Sequence, residues 1–359
     1  MPTNVSPEFK KAEAAYRKAR DPSERLSFLK EMLRTVPKHK GTEHLQADIK
    51  TRIKELTAEL AGPKRKASRT GPVYTVRPEG AAQVALVGPP NSGKSSLHSV
   101  LTGSQAEVGV YPHTTHTVLP GMLPYEDIHL QLLDLPPIST EFMESWMPNA
   151  LQLAQAALLV VDLTVPGCVE NVVAIMERLN EKRITLVPDW HGRLGPGFLR
   201  SNDDVADNSL SDEDVEIDEI GDLEDTFRVF LRTLLVANKN DLGLEPEEID
   251  VLEDLVGVRF PAITISVKTG QGLNRIGPLL FRGLGIVRIY TKIPGRPADT
   301  NRPFTVFRGD TVLDVAQLIH KDVARSLKFA RVWGSAKFDG QQVGKDYQVR
   351  DGDILELHS

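Results

Sequence analysis

With 359 residues, 40% of them apolar and 26% charged, the chain has ordinary globular composition and the length for two or three domains. Its net charge is a mild −6, no apolar run is long enough to cross a bilayer, and the opening MPTNVSPEFKK has no apolar stretch behind its charges. A cytoplasmic protein with no membrane role is therefore expected. Cys168 is the only cysteine, which excludes an internal disulfide and a thiolate metal cluster.

The charge is unevenly spread. Up to Arg69 the chain is rich in Lys and Arg (Lys10, Lys11, Arg17, Lys18, Arg20, then Lys64, Arg65, Lys66), whereas Asp203 to Asp225 carries acids and neither Lys nor Arg. A basic contact with RNA or an acidic partner fits this asymmetry, and so do simple solvated helix faces. From about Pro7 to Leu60, leucines 26, 29 and 33, then Leu45, Ile49, Ile53, Leu56 and Leu60, recur at three and four residues. That spacing predicts two helices broken between Val36 and Thr42, with Thr42 capping the second, in a basic helical segment over 1–62. Residues 63–80, rich in Lys, Arg, Pro and Ser, read as a linker.

From 81 to 287 the texture changes to short β-rich runs separated by helical segments: Gln83–Val87, Ile128–Leu133, Ala157–Val161, Ile184–Val187, Thr233–Ala237 and Ala262–Ile265. Strands alternating with helices predict a doubly wound, mainly parallel α/β sheet covered on both faces. The acidic stretch, about 189–225, is too polar for core and reads as a mobile insertion in that sheet domain.

Three motifs sit at the ends of these runs. Gly88-Pro89-Pro90-Asn91-Ser92-Gly93-Lys94-Ser95 matches the P-loop pattern and lies between an apolar strand and a helical segment, as that pattern requires. Its backbone N–H groups, with that of Ser96, would wrap phosphates at a helix N-terminus. Lys94 would reach the β- and γ-phosphates, and the Ser95 hydroxyl would ligate Mg²⁺. Asp134, closing the run Leu130–Leu133, stands where a P-loop protein places the acid that holds magnesium through water. Asn238-Lys239-Asn240-Asp241 follows the run Leu234–Ala237. There Asp241 would accept both guanine N–H donors, which adenine lacks. Asn238 would touch the base edge and tie loops together, and the stem of Lys239 would lie over the ring. Ser266-Val267-Lys268 would close the other side of the base.

Residues 288–359 give strand (Ile289–Thr291), strand (Phe304–Phe307), helix (Val312–Ile319), strands (Ala330–Trp333 and Gln348–Val349) and a last strand (Ile354–Leu357). This order fits a small mixed sheet gripping one helix.

With these elements in place, the chain resembles the Obg and developmentally regulated GTP-binding protein group of P-loop, Ras-like GTPases. Thr42-Glu43-His44-Leu45 resembles the helical N-terminal segment of that group's developmentally regulated branch, and Tyr111-Pro112-His113-Thr114-Thr115 with Pro120-Gly121 resembles its first switch. Arg288-Ile289-Tyr290-Thr291-Lys292, Ile319-His320-Lys321, Val332-Trp333-Gly334 and Val343-Gly344-Lys345-Asp346 resemble its TGS domain, a ubiquitin-like β-grasp fold. The resemblance implies a GTPase acting with ribosomes or RNA, a protein partner for the TGS domain, and Thr115 as the switch threonine on Mg²⁺, with Thr114 its nearest rival.

One departure stands out. The second switch of the family reads Asp-Leu-Pro-Gly, where this chain has Asp134-Leu135-Pro136-Pro137. The family glycine gives its N–H to the γ-phosphate, and proline has none. Ile138 follows where Ras-like enzymes carry a water-orienting glutamine, although apolar residues are usual there in the Obg group. In related GTPases lacking that glutamine, an asparagine at the position of Asn91 helps to hold K⁺. The alternative role of Asn91 is that of a tight-turn residue. The expected function is slow hydrolysis of GTP to GDP; the rival is a GTP-dependent scaffold or RNA-binding module in which Pro137 has abolished hydrolysis. An ATPase is disfavoured by Asn238 to Asp241.

Overall fold

The computed structural model describes residues 6–19, 22–37, 42–60, 76–104, 118–190, 197–198, 227–243 and 246–358. The chain divides into two compact units, residues 1–73 with 214–229, and residues 74–213 with 230–359.

The first unit holds three helices where the apolar spacing predicts two: α1 (Pro7–Lys18), α2 (Pro22–Thr35) and α3 (Glu43–Leu60). Pro22 opens α2, and a residue ahead of proline is disfavoured in helical geometry, so the periodic pattern breaks there as well as near Pro37. The Ser6 hydroxyl accepts from Phe9 N–H and caps α1. Thr42, expected as a cap, is fully buried; its hydroxyl donates to the Pro37 carbonyl and accepts from the Gln46 side chain. Phe9, Leu29, Met32 and Ile49 are the fully buried centre of this unit. Phe227 joins them, edge-on to Tyr16 at 6.1 Å and beneath the guanidinium of Arg52 at 4.4 Å.

The second unit begins with β1 (Gln83–Val87), α4 (Lys94–Thr102), β2 (Leu119–Tyr125), β3 (Ile128–Asp134), α5 (Met147–Leu151), β4 (Ala156–Val161), α6 (Cys168–Glu181), β5 (Ile184–Val187), β6 (Gly197–Phe198) and β7 (Val229–Ala237). It continues through α7 (Pro246–Val256), β8 (Pro261–Thr264) and α8 (Ile276–Gly283). The strand order is β2-β3-β1-β4-β7-β8-β6, with β5 also on β7. The β3-β1-β4-β7-β8-β6 pairs are parallel, so every residue of β1 and β4 is buried, as helices on both faces demand. Leu97 of α4 and Ile276, Leu279 and Leu280 of α8 cover the face bearing Val84, Leu86, Leu158 and Val160. On the other face Val172 of α6 and Leu252 and Val256 of α7 meet Leu159 and Leu235.

The antiparallel edge strand β2 has no strand pattern in the sequence, because Pro120, Gly121 and Pro124 break a β signal that pairing with β3 restores. The insertion expected at about 189–225 is also bounded differently. Trp190 is fully buried in the sheet core and donates to the Thr233 carbonyl, and Phe227 belongs to the helical core. The acidic run itself, the first-switch threonines and most of the linker lie outside the described residues.

The last region forms a second sheet from β9 (Ile286–Thr291), β10 (Asp299–Phe307), β11 (Phe329–Trp333), β12 (Gln341–Val343) and β13 (Asp353–His358), with helices α9 (Val312–Ile319) and α10 (Lys321–Ser326). The order β10-β9-β13-β11-β12 has one parallel pair, β9 with β13, and it grips α9 through Val312, Val315 and Ala316. A strand expected at Gln348–Val349 is instead a single bridge from Gln348 to Thr311, and β12 supplies the edge. The sheet starts two residues before the 287/288 boundary expected from the sequence. Arg288 locks it to the β2–β3 turn: the guanidinium forks onto Asp351 at 3.0 and 2.7 Å and reaches Asp127 at 3.1 Å and Glu126. Tyr290 also donates to Asp127, at 2.6 Å.

Candidate functional site

The carboxyl ends of β1, β3, β4, β7 and β8 point to one edge of the sheet, where parallel α/β folds bind ligands. The P-loop leaves β1 there and enters α4. Gly93 caps α4 with a left-handed φ of 94° and offers no side chain to the first-turn N–H groups. A Cβ on Gly93 would lie 2.2 Å from Asn238 Nδ2, and one on Gly88 2.2 Å from the Val160 carbonyl, so the loop has glycine where it touches its neighbours. Asn91 turns the loop with a φ of 60°, a conformation asparagine tolerates. Lys94 is nearly fully buried and donates to the carbonyls of Gly88 at 3.0 Å and Pro89 at 2.8 Å. Burial pushes its ammonium down to about 8, with the Asp134 carboxylate acting in the opposite direction. Ser96 follows, half-buried, in the first turn of α4.

Asp134 ends β3 at 1% exposure and accepts from the Ser95 hydroxyl. Burial pushes its carboxyl upward, against that hydrogen bond and the charges of His98 and Lys94. Its Oδ1 is enclosed without a hydrogen-bond partner. A carboxylate and a hydroxyl side by side, one oxygen unsatisfied, suit a hard divalent cation, which would favour the ionised form.

At the other end, Asn238 joins three loops. Its N–H donates to Val161 O, its Nδ2 to Ser92 O at 3.0 Å, and its Oδ1 accepts from Val267 N at 3.2 Å. The base-reading loops are thereby fixed to the P-loop by one buried amide. Asp241 accepts from the Ser266 hydroxyl at 2.7 Å and pairs with Lys268 at 3.4 Å. The Ser266 hydrogen bond, joined by Lys268, holds its carboxyl below the usual range. Ser266 is fully buried while the Lys268 side chain is 80% exposed, so a base can displace the lysine and keep the serine.

The structure thus assembles Gly88 to Ser96, Asp134, Asn238, Lys239, Asp241 and Ser266 to Lys268 along one sheet edge. Asp162, missed in the sequence, belongs with them. It directly follows β4, much as Asp134 ends β3, is 4% exposed, and holds the Lys239 ammonium at 2.5 Å while Thr164 donates to its other oxygen. The signal was present, an acid directly after an apolar run, but its partner is 77 residues away in sequence and adjacent only in the sheet.

Fold and site together define a guanine-nucleotide-binding P-loop protein with an appended β-grasp domain. The family model for 50S ribosome-binding GTPases matches residues 83–188 and that for TGS domains residues 287–359. An uncharacterized GTP-binding protein of Methanocaldococcus jannaschii is 30% identical, over 93% of this chain and 92% of that protein. Another from Halobacterium salinarum is 31% identical over 93% and 98%, and human developmentally-regulated GTP-binding protein 2 is 28% identical over 93% and 98%. The chain belongs to the developmentally regulated GTP-binding protein family. Among the described residues no helix is long and apolar enough to cross a membrane.

Proposed function

We propose that the chain hydrolyses GTP to GDP and phosphate, slowly when alone, and that its nucleotide state governs contacts with ribosomes or RNA and, through the TGS domain, a protein partner in the cytoplasm. The observation that carries the hydrolysis reading is the single bond from Asn238 Nδ2 to Ser92 O, which joins the base-reading loops to the phosphate loop at 3.0 Å. A site so tied holds base and phosphates in one fixed relation, which is most of what phosphoryl transfer asks of a protein. Mg²⁺ on Ser95, Asp134 and, by resemblance, Thr115 would neutralise charge between the β- and γ-phosphates. Lys94 would leave the loop carbonyls to do the same. Ile138, fully buried, cannot orient water, so charge neutralisation is assigned to a K⁺ ion on the exposed Asn91.

Phosphate release from GTP and from ATP, in potassium and in sodium at matched ionic strength, with and without ribosomes, tests this reading. Turnover of GTP alone, faster in potassium and lost in Lys94→Ala, is expected. Equal use of ATP would remove Asp241 from base selection, and equal rates in the two salts would leave Asn91 a turn residue.

A further inference from the structure

The segment after Asp134 runs directly over the P-loop. Ile138 N donates to Gly88 O at 3.2 Å, and the same carbonyl accepts from Lys94, the lysine aimed at the terminal phosphates. Pro136 and Pro137 have no N–H to offer. Ile138 spends its own on Gly88, and Ser139 N donates to Phe142 O at 3.0 Å. From Pro136 to Ser139 every backbone donor is therefore either missing or engaged with the protein. The segment is also held by its side chains, since Leu135 and Ile138 are both 0% exposed and the two prolines between them are buried.

A GTPase segment switches when a contact with the γ-phosphate exists in one nucleotide state and not in the other, and a ligand shifts a conformation only by such a difference. Here the backbone from Pro136 to Ser139 has no donor free to make that contact. Opening it would expose Leu135 and Ile138 with no bond gained in return.

We propose that Pro136 to Ser139 is a fixed wall of the nucleotide site, closed on the P-loop whichever nucleotide is bound, and that Pro137 is the specificity-determining residue that removes terminal-phosphate discrimination from it. This rests on the guanine-nucleotide reading of the site. Nucleotide-state signalling in this chain then leaves the site by another segment.

The test uses the full chain and two readouts. Amide exchange of a peptide covering Leu135 to Phe142 is compared between the GDP complex and the complex with a non-hydrolysable GTP analogue; equal exchange is expected. Affinities for both nucleotides are then measured in the native chain, Pro137→Gly and Pro137→Ala. Each variant restores an N–H, and alanine does so with less added backbone freedom than glycine. Both should raise the preference for the analogue over GDP about tenfold, the size of one hydrogen bond to a charged group. Exchange that differs between the two complexes of the native chain overturns the proposal even if neither variant folds. An unmoved affinity ratio in both variants also overturns it. Failure of either nucleotide to bind saturably would overturn the guanine-nucleotide reading itself, and this inference with it.

Discussion

Asp241 shows how a single carboxylate is prepared for its ligand. Ser266 fixes one oxygen from a buried position, while the exposed Lys268 covers the other and can leave. Replacing the acid by an amide puts a donor opposite the exocyclic donor of guanine, so Asp241→Asn should weaken GDP binding about 10²-fold and favour xanthine nucleotides. Competition between GTP and XTP measures this, and an unchanged preference removes Asp241 from the base site. Glu253 of α7 is the opposite case. It is 2% exposed against Leu159, Leu235 and Phe260. Burial and the charge of Asp250 push its carboxyl up to about 7, with Arg259 opposing them and Asp254 adding to the rise. The folded state then keeps a proton that the unfolded chain gives up near 4.5. The stability tied to that proton is complete below 4.5 and is lost as pH rises through about 7. Glu253→Gln, neutral throughout, should lack this loss and be more stable than the native chain at pH 8 by about 2 kcal/mol after allowance for solvent screening. Urea denaturation at pH 5 and pH 8 checks it; parallel losses in the two proteins would place the titration elsewhere.

Among the elements, the β2–β3 hairpin has the widest reach. One end of β3 supplies Asp134 to the nucleotide site and the turn at its other end receives Arg288 and Tyr290 from β9. Arg288 is the hinge pin of this junction, its plane over Phe281 at 4.9 Å and its fork spread over Asp351 and Asp127. The hydrogen bond to Asp127 pushes the Tyr290 hydroxyl up to about 12, so the pair stays intact across ordinary pH. Arg288→Ala leaves acids on both sides of the junction without their partner and should cost about 2 kcal/mol. Arg288→Lys should recover less than half of that loss, because an ammonium cannot make the planar fork. Thermal unfolding of the three proteins decides the point, and full rescue by lysine would mean that charge alone holds the junction.

For the molecule as a whole, the contrast is between a nucleotide site at one sheet edge and exposed cations on the β-grasp domain. Lys321 and Arg325 stand on α10, a separate short helix beyond α9, and Lys328, Arg331 and Lys337 are exposed beside or on β11. If these cations meet phosphates, binding releases counterions and falls steeply with salt. Changing Arg325, Lys328, Arg331 and Lys337 together to Glu should abolish co-sedimentation with ribosomes at low salt while GDP affinity holds. Equal pelleting of the native and altered chains would assign any ribosome contact to another surface.

The sequence by itself determined the nucleotide-binding motifs, the parallel sheet and, in the β-grasp domain, the first two strands, the main helix and the strands at Phe329–Trp333 and Asp353–His358. In the site motifs the chemistry lies within a few consecutive residues: a Gly-rich turn after a buried, mostly apolar strand, or an acid at a strand end. Three helices instead of two, the edge strand β2 and the place of Trp190 and Phe227 were decided by tertiary structure, because proline and glycine weaken a local signal that pairing and burial restore. The same holds within the site. The sequence shows that Pro137 lacks an N–H, but only the folded chain brings Ile138 onto Gly88, Asp162 onto Lys239 and Arg288 onto Asp127. Those pairs span 50, 77 and 161 residues, and a contact at such separation has no local pattern to announce it.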